Sequence, residues 1–353
     1  MFKFRHVFSS LFPSSCGYPQ APRPTIIRRI MKNTVAQTGG SEHRWSDDEA
    51  TIRVPSVSTE LRVLHLTDTH VSKSGPSDEP FVEYSSRMNH AYAESRHHLT
   101  DEETTPERCF RDALKYASES DIDLLVLTGD IINNPSATSV AEVRAALDGV
   151  GIDHLYIPGN HDWHYEGMEG TSDELRARWR AERLLPLYGN GWSANNTDCF
   201  SVQRGDVLFV AVDNSTYQIN DAQLECLNRS IETGLPMVLL IHIPLSIVSM
   251  PNMLCGHPEW GADTDKNFSI ERRPKWPETG NSATTREFVR AVAEAPNLVA
   301  VLTGHTHVPH VGSVAPTLFR GTAHPTALQY VTRAGAYGGR RLVRFLPAGG
   351  IDE

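Results

Sequence analysis

The sequence predicts an α/β protein built of two mixed β-sheets packed face to face, with helices on the outside. Three observations predict it. Through the first half of the chain, short apolar runs alternate with segments of helical periodicity, the pattern of strand–helix units. The second half turns to hairpin-like and closely spaced apolar runs, and two sheets fit that strand count. Five of the runs stop abruptly in Asp, Asn or His, and open α/β sheets bind ligands just beyond strand carboxyl ends.

The chain opens on a composition shift. Residues 1–41 hold six basic residues (Lys3, Arg5, Arg23, Arg28, Arg29, Lys32) and no acid. Basic, serine and apolar residues mix in the first twelve as in organelle transit peptides, while Pro13, Pro19, Pro22 and Pro24 keep any helix short. The segment reads as a transit peptide or as a disordered extension. Residues 42–60 read as a polar linker, and the folded domain is placed at residues 61–348. Its first strand, Arg62 to Leu66, delivers Asp68-Thr69-His70. A polar insertion follows at residues 72–103, carrying Phe81, Tyr84, Arg87, Asn89 and Tyr92, with His97 and His98 in a polar helical stretch. Thr105-Pro106 caps a helix that buries Phe110, Ala113, Leu114 and Ala117. The strand Asp123 to Thr128 then delivers Gly129-Asp130. A helix from about Ser139 to Leu147 leads to the strand ending at Pro158, which delivers Gly159-Asn160-His161-Asp162. Thr171 to Glu174 is a capping box opening a helix towards Arg183.

The second half begins with a hairpin, Phe200–Gln203 and Val207–Val212 around Gly205. A helix near Asp221–Ile231 leads to the strand Met237–Ile241, which delivers His242. Residues 246–283 form a connection rich in Pro, Gly and Trp, including Trp260 and Trp276; long connections of this kind are often binding loops. A helix near Thr285–Glu294 and the strand Leu298–Leu302 deliver Gly304-His305-Thr306-His307. Three closing strands are expected at 317–320, 328–331 and 341–345.

Asp, Asn and His are the donors that hard and borderline divalent metals take. Five strand ends that deliver them in this order imply a two-metal centre. The order Asp-x-His, Gly-Asp, Gly-Asn-His-Asp, a lone strand-end His and Gly-His-x-His resembles the calcineurin-like metallophosphoesterase superfamily, with the match running from about Leu61 to His310. The resemblance implies a four-layer αββα sandwich with its metal site at strand carboxyl ends. It also implies two divalent metal ions, manganese, iron or zinc, and a hydroxide bridging them. Asp68, His70 and His307 would hold the first ion, Asn160, His242 and His305 the second, and Asp130 would bridge. His161 would protonate the leaving oxygen, and Asp162 would orient that imidazole. The activity implied is hydrolysis of a small phosphomonoester or phosphodiester; the alternatives are a nuclease, a phosphoprotein phosphatase, or a metal-binding scaffold of little activity. Gly129-Asp-Ile-Ile-Asn-Asn134 lacks the arginine that follows this motif in phosphoprotein phosphatases, and Asn133 stands where purple acid phosphatases place a tyrosine. The pattern is closer to the phosphodiesterase-like branch.

Composition narrows the partners. The formal charge of −10 rises in magnitude to −16 once residues 1–41 are set aside, with 27 basic against 43 acidic residues. Such a body is poorly suited to nucleic acid, whose affinity comes largely from neutralised phosphates. No apolar run approaches the ~20 residues that span a bilayer. The five cysteines are odd in number and scattered, without paired spacing, which points to a reducing compartment, cytoplasmic or mitochondrial. The oligomeric state is left open. Among other histidines, His65 and His154 lie in strands and read as structural, while His164 and His257 are candidates for a pocket rim.

Overall fold

In the computed structural model, residues 32–34, 40–93, 95–189, 198–259 and 280–349 are described. The first sheet gathers β1 (Lys32–Thr34), β2 (Glu42–Trp45), β3 (Glu49–Val54), β4 (Leu61–Leu66), β7 (Leu124–Thr128), β8 (His154–Ile157) and β15 (Arg341–Pro347), in the order β1-β2-β3-β15-β4-β7-β8. The second runs β13 (His310–Ser313), β14 (Leu328–Val331), β12 (Leu298–Thr303), β11 (Met237–Leu240), β10 (Val207–Val212), β9 (Cys199–Arg204). Both are mixed: β3-β15, β4-β7-β8 and β10-β11-β12-β14 pair in parallel, while β1-β2-β3, the central β15-β4, β9-β10 and β13-β14 pair antiparallel. A small hairpin, β5 (Ser95–Arg96) with β6 (Glu103–Thr104), stands apart.

Strand β10 shows how the layers arise. Its side chains alternate with period two, so Val207, Phe209 and Ala211 join the core between the sheets, where Phe209 meets Phe345 of β15 edge to face. Leu208, Val210 and Val212 face the other way, into a second core with Cys226 and Leu227 of α5 (Asp221–Glu232) and Phe288 and Val289 of α6 (Ala283–Glu294). On the first sheet, α2 (Pro106–Glu119) and α3 (Ala137–Val150) contribute Phe110, Leu114, Val143 and Leu147. Their starts follow the expected local chemistry: the Thr105 hydroxyl accepts from the Arg108 N–H, and Pro106 sits at the first helical position, where no N–H is needed. Two sheets with helices outside are the αββα sandwich the sequence predicts.

Several expectations are corrected. Residues 42–60 are not a linker, because they fold as β2 and β3, and β3 runs parallel to β15 from Glu49–Leu342 to Val54–Pro347. Residues 317–320 form a turn rather than a strand, and the second sheet's edge is His310–Ser313. The helix opening at Thr171, by contrast, runs to Arg183 as expected, as α4 (Ser172–Trp179) followed by a π-helical turn (Arg180–Leu184). The insertion at 72–103 is ordered: a 3₁₀ turn (Pro76–Phe81), α1 (Val82–His90) and the β5–β6 hairpin, so that His97 and His98 lie in a hairpin instead of a helix. Cys199 of β9 and Cys226 of α5 are joined in a disulfide, with Cα atoms 6.3 Å apart. That pairing corrects the reading of the cysteines as unpaired, while Cys109 and Cys255 are free and buried. Trp260, Trp276 and most of residues 1–41 lie outside the described residues. No helix among the described residues is long and apolar enough to cross a membrane.

Candidate metal centre

The five strand ends converge at the carboxyl edge of both sheets. The turn after β4 carries Asp68 and His70, and the turn after β7 carries Asp130. The two turns are zipped together by backbone bonds from Asp68 N–H to the Gly129 carbonyl (3.0 Å) and from His70 N–H to the Asp130 carbonyl (2.9 Å). This bends the chain sharply. Asp68, His70, Asp130, His305 and His307 all adopt left-handed backbone, with φ of 50°, 46°, 51°, 68° and 62°. Residues other than glycine avoid that region, and such strain gathers where function requires it. Glycines leave room for the approach. A Cβ on Gly159 would stand 2.2 Å from Asp130 Oδ1, and one on Gly304 1.8 Å from Thr67 Oγ1.

Three groups of side chains offer atoms within 4.8 Å of one another: Asp68, His70 and His307; His70, Asp130 and His161; and Asp130, His242 and His305. Asp130 belongs to two of them. Its Oδ2 lies 3.2 Å from His242 Nε2 and 4.0 Å from His70 Nε2. In the first group, His307 Nε2 is 3.1 Å from His70 Nε2 and 3.4 Å from Asp68 Oδ1. Asp68 also accepts the His305 N–H at both oxygens (3.0 and 2.9 Å), which ties the last motif to the first. Seven of the nine residues singled out from the sequence fall in these three groups, which leaves out Asn160 and Asp162.

The donor set fits cations. Asn160 Oδ1 is buried without a hydrogen-bond partner, which is costly unless something binds it. His242 Nδ1–H donates to the Thr128 carbonyl oxygen at 2.7 Å, which turns Nε2 towards Asp130; burial lowers its pKa, but the Asp130 carboxylate outweighs it and raises it to about 9. Burial pushes His70 well below the usual imidazole range and His305 down to about 3, so both are neutral donors. Asp130 is held well below the carboxylate range: burial opposes this, but His242 and His161 outweigh it.

His161 is half-buried beside the His70 ring, at 4.7 Å between centroids. Its Nδ1 lies 3.2 Å from the Asn133 carbonyl oxygen. Asp162 does not touch it, which corrects the orienting role expected from the sequence. The Asp162 carboxylate turns inward and accepts the N–H groups of Asp130 (2.8 Å), Ile132 (2.9 Å) and Gly159 (2.7 Å). Burial and then the Asp130 charge push its pKa up to about 8, against the backbone donors that favour the ionised form.

Among the remaining histidines, His65 is buried between the hydroxyls of Thr332 (2.8 Å) and Thr128 (2.7 Å), and His154 bonds the Leu187 carbonyl. His164 and His257 join none of the three groups. Sequence reasoning missed Tyr217 and named Tyr92 only as part of the insertion, without its contact to the donors. Tyr217 Oη lies 2.9 Å from His305 Nε2, and Tyr92 Oη 3.0 Å from His70 Nε2. Neither sits at a strand end, so no motif announces them.

A family model described as calcineurin-like phosphoesterase matches residues 61–309. The chain belongs to that family. This calcineurin-like phosphoesterase is a metal-dependent hydrolase of phosphoesters, and its clustered His and Asp side chains are suited to divalent metal. Among solved structures it is similar to a dimetal phosphatase from Danio rerio, at 11% identity and a TM-score of 0.45, with 78% of this chain covering 88% of that one. It is also similar to purple acid phosphatase PPD1 from yellow lupin (Lupinus luteus), at 14% identity and a TM-score of 0.46. There 85% of this chain spans about half of the other, 49%. No curated protein matches the chain significantly.

Proposed function

We propose that this phosphoesterase hydrolyses a small phosphomonoester or phosphodiester at a dinuclear centre. Asp68, His70 and His307 would hold the first ion, Asn160, His242 and His305 the second, with Asp130 shared. The observation that carries this reading is the position of Asp130 Oδ2, 3.2 Å from His242 Nε2 and 4.0 Å from His70 Nε2, between the two donor groups. Two divalent ions bound there would acidify a water between them and clamp the phosphate oxygens. The chain's own residues do the rest. Asp130 keeps the charge that two adjacent cations need between them. The turns zipped through Gly129 and Asp130 fix the donors before substrate arrives, so little reorganisation is required in the reaction. His161, outside both ligand sets, presents its ring from beside His70, and the Asn133 carbonyl supports the protonated imidazole that would hand a proton to the leaving oxygen.

Metal analysis of the purified protein, together with turnover of bis-p-nitrophenyl phosphate against p-nitrophenyl phosphate, tests the reading. Two ions per chain and metal-dependent turnover of one of these esters are expected. A single ion per chain, or turnover that survives complete removal of metal, would sink it.

A further inference from the structure

The ordered insertion brings an aromatic residue onto the first donor group. The Tyr92 ring stacks on the His70 imidazole, with centroids 4.2 Å apart and planes 18° from parallel, and its Oη lies 3.0 Å from His70 Nε2. We propose that Tyr92 is a further ligand of the first metal ion, alongside Asp68, His70, His307 and the shared Asp130; this rests on the two-ion reading above.

Two atoms bound to one ion at about 2.1 Å, at a right angle or slightly more, stand about 3 Å apart. The contacts from His70 Nε2 to Tyr92 Oη (3.0 Å) and to His307 Nε2 (3.1 Å) both have that length, and His307 Nε2 to Asp68 Oδ1 (3.4 Å) is close to it. A hydrogen bond to His70 accounts for the position less well. The Nε2 lone pair lies in the imidazole plane, whereas a stacked phenol sets its hydroxyl over the ring's face. Tyr217 makes the contrast: its ring crosses His305 at 85°, the edge-on approach of a hydrogen-bonded pair.

Tyr92 is also held where a ligand must be. It follows α1 and the 3₁₀ turn before it, a segment anchored at three points. Asn89 accepts from Ser72 Oγ and Asn134 Nδ2, both at 2.7 Å; Arg87 pairs with the buried Glu166; and Asp78 accepts from the first turn of α3. The Ser95 hydroxyl donates to the Tyr92 carbonyl at 2.9 Å. A phenolate is an oxygen donor of the kind these metals take, and on coordination its proton passes to solvent.

The test compares the full chain with Tyr92→Phe, which removes only the hydroxyl of a half-buried ring. In zinc titrations followed by calorimetry, the wild type should fill two sites. The variant should hold one of them at least ~10-fold more weakly, the scale on which losing even a metal ligand's supporting partner acts. Loaded with iron(III), the wild type should show a visible phenolate-to-iron charge-transfer absorption that Tyr92→Phe abolishes and Tyr217→Phe keeps. Identical zinc isotherms, an iron-loaded wild type without the band, or a band that survives Tyr92→Phe overturns the assignment and leaves the two-ion reading standing. A wild type that holds fewer than two ions overturns both.

Discussion

His161 and Asp162 adjoin in sequence, yet their side chains diverge at once. One ring stands half-buried at the donor cluster, and the other side chain turns into the backbone beneath it. Substituting each should therefore separate chemistry from folding. His161→Ala should keep its metals and its stability but lose turnover, since general acid catalysis contributes about 10²–10⁴-fold. The loss should be far larger on an alkyl phosphoester, whose leaving alkoxide needs the proton, than on a p-nitrophenyl ester, whose leaving anion is stable. Equal impairment on both esters, or a lost ion, would contradict the assignment. Asp162→Asn makes the opposite case. An amide has one accepting oxygen and an NH₂ group that must face a backbone N–H, where the carboxylate, ionised above its pKa of about 8, accepts three, so the comparison is made at pH above 8. A cost of about 1–3 kcal/mol in urea unfolding is expected, together with weaker metal binding through Asp130. Unchanged unfolding would show that those three bonds contribute nothing.

At the scale of elements, the insertion is a docked unit. Its Asp78 carboxylate is buried and accepts from Gly75 N–H, Ser136 Oγ, Ala137 N–H and Thr138 Oγ1, so it caps α3 from outside that helix. Asp78→Ala should cost about 1–3 kcal/mol in urea denaturation, as the loss of a helix cap and of bonds to a charged group; a change of only a few tenths would mean the insertion folds independently of α3. The same comparison shows what the sequence can and cannot carry. Helices α2, α3, α5 and α6 were legible because caps and periodicity are local signals. The Asp and His residues gathered in the three groups were legible because each is tied to a strand end by a few residues. Strands β2 and β3 went unread although Ala50, Ile52 and Val54 alternate with Glu49, Thr51 and Arg53, because their support is distant: β3 is held by β15 near the far end of the chain. The Cys199–Cys226 bond and the place of Tyr92 were hidden for the same reason. Each depends on two elements meeting in space, and spacing along the chain does not encode that.

The whole molecule places its donors on both sheets. Asp68, His70, Asp130 and Asn160 follow β4, β7 and β8 of the first, while His242, His305 and His307 follow β11 and β12 of the second. Ions bound among them would cross-link the two sheets at their carboxyl edges, adding to the apolar layer where Phe209 meets Phe345. A ligand that binds only the folded chain stabilises it by mass action, about 2.7 kcal/mol when free metal is 100 times its dissociation constant. A chain of this size should then melt a few degrees lower after chelation, at about 1–2 °C per kcal/mol. Asp130→Asn adds a check. The neutral amide cannot offset two adjacent cations, so the variant should lose at least ~10²-fold in turnover, and its melting temperature should respond little to added metal or chelator. Differential scanning calorimetry of both proteins, with metal content measured on the same samples, decides the matter. A wild type that melts at one temperature whether two ions are bound or none would show that the metals sit outside the cooperative unit. A variant with full turnover and two ions would remove Asp130 from its shared position between them.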